Sequence, residues 1–236
     1  MKYSHTMRSY RLKNADGTYE WFVGYDFLLL LFAASFSGIM VMTMYAQVDT
    51  TIVDIAVFQL VMGLVGLMGG TVIAFGTQGL KTGVETSKQM TEALMAIIVG
   101  FVATRILNGV IMIVDFQNMF SIMKFDSSLN IALTAAVMEE CLYSFLGSLF
   151  FFKVFMVFFS KVFRNTSAAS GSAVVMASIF ISVFFVIIHY AVYGFNMSII
   201  LMLFINRFVY SLLFLKTRNL MVPTVLHLAH NFLASM

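Results

Sequence analysis

The chain is expected to be an all-α, polytopic membrane protein, a transmembrane bundle of about seven hydrophobic helices, on three observations. Of its 236 residues 61% are hydrophobic and only 11% charged, whereas soluble domains carry about a quarter charged residues because their surface must face water. Mean hydropathy is +0.94. Several stretches of about 18 or more residues run almost without charge, the length that crosses about 30 Å of hydrocarbon at about 1.5 Å per residue. The surface is therefore built for lipid, and no sizeable soluble domain is expected.

The elements follow in order. Residues 1–20 form a polar, basic tail without an apolar core or small-residue cleavage site, so no cleavable signal peptide is expected. Its Tyr3, Tyr10 and Tyr19, with Trp21, suit the headgroup level, where amphipathic rings prefer to sit. Seven spans are expected at roughly 21–45, 52–75, 91–114, 129–152, 173–193, 198–215 and 222–235. The last is too short to cross alone and opens at Pro223, the single proline, which suits a first turn whose amides have no helical partner. Residues 21–236 read as one transmembrane domain, with no internal repeat at a period of about 20 to 50 residues.

Basic residues set the expected orientation. Eleven fall on one side (Lys2, Arg8, Arg11, Lys13, Lys81, Lys88, Lys153, Lys161, Arg164, Lys216 and Arg218) and only Lys124 on the other. By the positive-inside rule the N-terminal tail is cytoplasmic, and the cell membrane is the expected location. The net charge of +3 reflects these loops facing anionic lipid and points to no nucleic acid. Cys141, alone, excludes an internal disulfide and a thiolate metal cluster. Gly63, Gly66, Gly69 and Gly70 let a neighbouring helix approach closely, and the 19 Met and 26 Phe read as lipid-facing and core filler.

Against this apolar background the polar residues inside spans stand out: Asp54, Arg105, Glu139, Glu140, His189, Asn206, Arg207, His227, His230 and Asn231. Each ionisable group near the bilayer centre costs at least about 2.5 to 3.5 kcal/mol, so it must be paired, neutralised or hydrated. Glu139 and Glu140 are adjacent in AAVMEECLYSF near the middle of their span and cannot both ionise cheaply, which suits one of them to exchange protons near neutral pH. A salt bridge to Arg207 or Arg105 accounts for one glutamate but not both. His189 closes FFVIIHYAVYG, and taken singly reads as a satisfied core histidine. His227 and Asn231, four apart in VPTVLHLAHNFLA, share a helix face, where two donors can hold a developing negative charge. Together the set is the inventory of a buried hydrolytic site. By counting, His189 lies nearer the outer membrane face than the glutamates and His227 nearer the inner, so helix tilt must bring them level.

The segments EECLYS, FVIIH and HLAHN, in that order, resemble the CPBP family of intramembrane proteases, also called the CAAX protease, bacteriocin-processing or Abi family, which includes the Ras-converting endopeptidases. That family is marked by Glu-Glu-x-x-x-Arg, Phe-x-x-x-His and His-x-x-x-Asn, each on its own helix. The resemblance covers about residues 129–236 and is most specific in LKTRNLMVPTVLHLAHNF. It implies that Glu139 with His189 activates water, that Glu140 supports it, and that His227 and Asn231 form the oxyanion hole. It implies no cofactor; if a metal is used, Glu139, His189 and His227 are its ligands, although His227 and His230 do not form a His-Glu-x-x-His pair.

The chain departs from the pattern at Ser144, which stands where the first motif has arginine, so Arg207 or Arg105 must supply that cation from another helix, or the site has decayed. The expected activity is a glutamate-dependent endopeptidase acting on a membrane-associated or prenylated peptide, with lipid and the substrate as partners. The alternative is a non-catalytic subunit or scaffold of a membrane protein assembly. A proton-coupled transporter is disfavoured because no inverted repeat is evident.

Overall fold

The computed structural model describes residues 12–13, 19–20, 50–75, 87–114, 129–193 and 195–234. Apart from a two-residue antiparallel ladder in the tail, pairing Leu12 with Glu20 and Lys13 with Tyr19, and the short connections 163–165, 195–196 and 218–220, these residues are helical. The elements are α1 (Thr50–Phe75), α2 (Ser87–Val114), a long α3, α4 (Thr166–Tyr193), α5 (Met197–Thr217) and α6 (Met221–Ala234). Helix α3 is built of Leu129–Glu139, a π-helical stretch Glu140–Gly147, and Ser148–Val162. The described residues thus hold six helices against the seven expected, and the first expected span, 21–45, lies outside them. The five helices α1 to α5 are long and apolar enough to cross a membrane. Their exposed faces carry large apolar side chains such as Phe58, Met68, Ile98, Ile106, Val157 and Ile187, as lipid contact requires.

Two expected boundaries move, the end of the fourth span and the start of the fifth, which begins at Thr166 rather than 173. The fourth span was expected to end at 152, with Lys153 in the loop that follows, yet the helix continues to Val162. Residues 154–162 contain neither glycine nor proline, and the Lys153 ammonium donates to the Ile73 carbonyl, giving that charge a partner against α1. The connection to α4 shrinks to Phe163, Arg164 and Asn165, and Asn165 caps α4 by accepting from the Ser167 amide at 2.8 Å.

Packing sets the register that positions the site. Helices α3 and α4 run antiparallel in steps of four residues: a side chain at Gly147 would strike Ile181, Tyr143 meets the Phe185 ring edge-on with centroids 4.9 Å apart, and one step further Glu139 faces His189. On the other side α1 lies almost backbone to backbone on the π stretch. A Cβ at Gly66 would come within 2.6 Å of the Cys141 carbonyl carbon, and one at Gly70 would enter the Phe145 ring. The glycine row is therefore a close-approach face, as its spacing predicts. The short α6 packs against α2, α3 and α5, with Leu226 and Val222 fully buried.

Gly66→Leu is expected to destabilise the bundle by at least about 1–3 kcal/mol, because backbone rather than a flexible side chain stands in the way. Gly109, where an added Cβ would meet nothing within 4 Å, is the control: Gly109→Ala should raise stability by about 0.5–1 kcal/mol. Reversible unfolding in mixed detergent micelles measures both, and equal effects would sink the backbone-contact account.

Candidate functional site

Four helices converge on the adjacent glutamates. Successive helical side chains point about 100° apart, so Glu139 and Glu140 reach different neighbours despite being consecutive. Glu140 points inward: it is 0% exposed, and its Oε1 accepts from Arg207 Nη2 on α5 and, at 2.7 Å, from His227 Nδ1 on α6. Its Oε2 accepts from the Ser144 hydroxyl one turn further along α3. Glu139 points toward α4 and α6, with Oε1 3.5 Å from His189 Nε2 and Oε2 3.8 Å from His227 Nε2. Among the described residues these histidines are its only ion-pair partners. Its side chain stays 14% exposed, and those of His189 and His227 stay 16% and 12% exposed.

The hydrogen bonds orient both rings. A carbonyl can only accept, so the 2.8 Å contact between His189 Nδ1 and the Phe185 carbonyl puts a proton on Nδ1 and turns Nε2 toward Glu139. The Phe185 ring lies 3.9 Å, centroid to centroid, from the imidazole. His227 likewise donates from Nδ1 to Glu140, leaving Nε2 facing Glu139. Asn231, one turn along α6, donates through Nδ2 to the Ala132 carbonyl at 2.8 Å and keeps its second amide hydrogen.

The five residues expected from the motifs therefore fall into one cluster: Glu139, Glu140, His189 and His227 share direct contacts, and Asn231 sits beside them, joined to α3 through Ala132. The depth mismatch reached by counting disappears because α3 and α4 pair in the register that sets Glu139 opposite His189.

Of the two arginines weighed as replacements for the missing one, Arg207 meets Glu140, whereas Arg105 is exposed and lies over the Phe101 ring at 5.3 Å. Arg207 is 1% exposed and surrounded by the rings of Phe185, Tyr210 and Tyr143, at 4.9, 5.3 and 5.7 Å. Tyr210 was not singled out in the sequence, and its only signal there is a tyrosine three residues after an intramembrane arginine.

His230 does something different. Its Nδ1 lies 3.0 Å from the Leu226 carbonyl, which can only accept, so the proton sits on Nδ1, where it is shared with the Tyr210 hydroxyl at 2.5 Å, and Nε2 accepts from the Thr104 hydroxyl at 3.1 Å. The ring thus ties α6 to α5 and α2 and has no contact with either glutamate, so the two histidines of HLAHN divide the work. Among the described residues no group of three His, Cys, Asp or Glu side chains is arranged to hold a metal ion.

No curated protein and no solved structure matches the chain. The family model described as type II CAAX prenyl endopeptidase Rce1-like does match it, over residues 94–233. That range contains every residue of the cluster and starts within α2, ahead of the first motif, so it includes the helix whose Thr104 supports His230. With the three motif segments brought to one cluster and more than half of the chain matched, this protein belongs to the Rce1-like type II CAAX prenyl endopeptidases, a family of multi-pass intramembrane proteases.

Proposed function

We propose that the chain is a glutamate-dependent intramembrane endopeptidase that hydrolyses a membrane-associated or prenylated peptide with water activated by Glu139 and His189. One observation carries this reading: the two glutamates are treated unequally. Glu140 is closed off by Arg207, Ser144 and His227, while Glu139 keeps two partly open histidines at 3.5 and 3.8 Å and takes no arginine among the described residues. A purely structural pair of carboxylates has no need of such a difference.

The chemistry follows from the donors. With Nδ1 serving the Phe185 carbonyl, His189 turns the lone pair of Nε2 toward the Glu139 carboxylate, and a water molecule donating to both acceptors bridges them. Glu139 takes one proton of that water as its oxygen bonds to the scissile carbonyl carbon. The carbonyl oxygen becomes an oxyanion, which accepts from His227 Nε2 when that ring carries both protons and from the second amide hydrogen of Asn231. As the carbon–nitrogen bond breaks, the proton held by Glu139 and His189 passes to the leaving amine. Glu140 keeps His227 oriented throughout.

This scheme needs no metal. Should one be used, Glu139, His189 and His227 are the groups that would have to draw together around it, since as they stand they are not arranged to hold one. The basic loops favour a cytoplasmic N-terminus and the cell membrane, with lipid and the peptide substrate as partners and no nucleic acid. The alternative, a non-catalytic subunit of a membrane assembly, draws support from Asn231, whose amide already serves the Ala132 carbonyl.

Purified protein in lipid, given a panel of prenylated and transmembrane peptides, tests the reading. Glu139→Ala and His189→Ala should each cut the rate about 10²- to 10⁴-fold, and Asn231→Ala about 10²- to 10³-fold. Wild-type rates in both of the first two variants would remove the proposed base. Chelation is a separate arm: cleavage should persist in excess chelator, and loss that added zinc reverses would replace the metal-free scheme with a metal held by Glu139, His189 and His227.

A further inference from the structure

We infer that Arg207 is a positioning residue that supplies from α5 the cation the first motif carries at the position of Ser144, holding Glu140 so that His227 keeps its Nδ1 proton there and turns Nε2 to Glu139. The inference rests on the proteolytic reading, and three observations carry it.

Glu140 is wholly buried, and its known partners, Arg207, His227 and Ser144, all donate to it. Among the described residues only Arg207 brings it a permanent charge. Without that charge the carboxylate is a poorly compensated ion in an apolar interior, which must take up a proton or turn away, and either change weakens or removes the charged acceptor that fixes His227.

The second observation is the cage around the guanidinium. Its Nε and Nη1 find no hydrogen-bond partner among the described residues, and the group is held instead against aromatic faces. Two of those rings also pack on the histidines: Phe185 on His189 at 3.9 Å and Tyr210 on His227 at 5.4 Å. One side chain thus braces the supports of both imidazoles.

Third, Ser144 stands at the motif position, and its hydroxyl already reaches Glu140 Oε2. The side chain at 144 therefore points at the same carboxylate but is too short to carry a charge to it. Exchanging the residues at 144 and 207 conserves both charge and volume.

The test is that exchange, made in the full chain in lipid. Arg207→Ala is compared with the double variant Ser144→Arg with Arg207→Ser. Two readouts are taken: kcat and KM on a peptide the wild type cuts, and the Nδ1 proton of His227 seen by NMR after ¹⁵N-histidine labelling. Arg207→Ala should lower kcat about 10- to 100-fold with KM almost unchanged, and should abolish the Nδ1 signal. The exchange should restore the signal and bring kcat back to within about tenfold of wild type.

Retention of both readouts in Arg207→Ala overturns the inference. So does an exchange variant that regains neither, or one that fails to fold, since nothing but position has changed. If Arg207→Ala itself fails to fold, the exchange decides alone. Failure of the proteolytic reading looks different: the wild type cuts nothing, yet the His227 signal still follows the arginine from 207 to 144, which upholds the positioning and removes the chemistry.

Discussion

A carboxylate buried to 0% exposure in a helix bundle surrounded by lipid is the constraint on which the site depends. Neither water nor lipid can solvate it, and its desolvation cost is several kcal/mol before any partner is counted. Glu140 meets that cost with a guanidinium, an imidazole and a hydroxyl drawn from three helices, α5, α6 and α3. Three elements are thereby committed to one point, and the relative rotation of each about its own axis is fixed. The orientation of His227 and the position of Asn231 one turn along α6 follow from that commitment, because both sit on the helix face that brings His227 to Glu140.

The π stretch explains how two consecutive residues can have such different surroundings. It begins at Glu140 and widens the helix, and such bulges occur at functional sites more often than chance because they re-aim side chains without ending the helix. The wider turn must be accommodated, and the glycines of α1 do so: Gly66 lies against the Cys141 backbone and Gly70 against the Phe145 ring. Packing on one side of α3 thus permits the geometry on the other. A row of small residues, which by itself indicates only close approach, is here what lets the irregular helix sit in a tight bundle.

Much of this was legible in the sequence, for physical reasons that differ from one element to the next. The helical spans were legible because a membrane imposes a length and an apolar content on anything crossing it. The cluster of Glu139, Glu140, His189, His227 and Asn231 was legible because polar groups in such segments are costly and therefore few. The end of the fourth span was not legible: Lys153 looks like a boundary, yet its ammonium reaches the Ile73 carbonyl and the helix runs on to Val162. The π stretch and Tyr210 were also hidden, since each depends on which neighbour packs where. The choice between Arg207 and Arg105 needed the register of α5 against α3, and one-dimensional depth counting cannot supply it.

The contrast between His227 and His230 shows what kind of information the fold adds. Both lie in one short, apolar helix three residues apart, and by composition they are equivalent. Rotation separates them: His227 faces the carboxylates, whereas His230 faces α2 and α5, where Thr104 and Tyr210 satisfy both ring nitrogens. A helix as short as α6 cannot cross the membrane alone, so its termini need support from neighbours. The hydrogen bonds of His230 on one side and Asn231 to Ala132 on the other give α6 a fixed rotation between α2 and α3. That rotation is what makes His227, rather than its neighbour, available to the glutamates, so the chemistry assigned to one histidine is set by the structural role of the other.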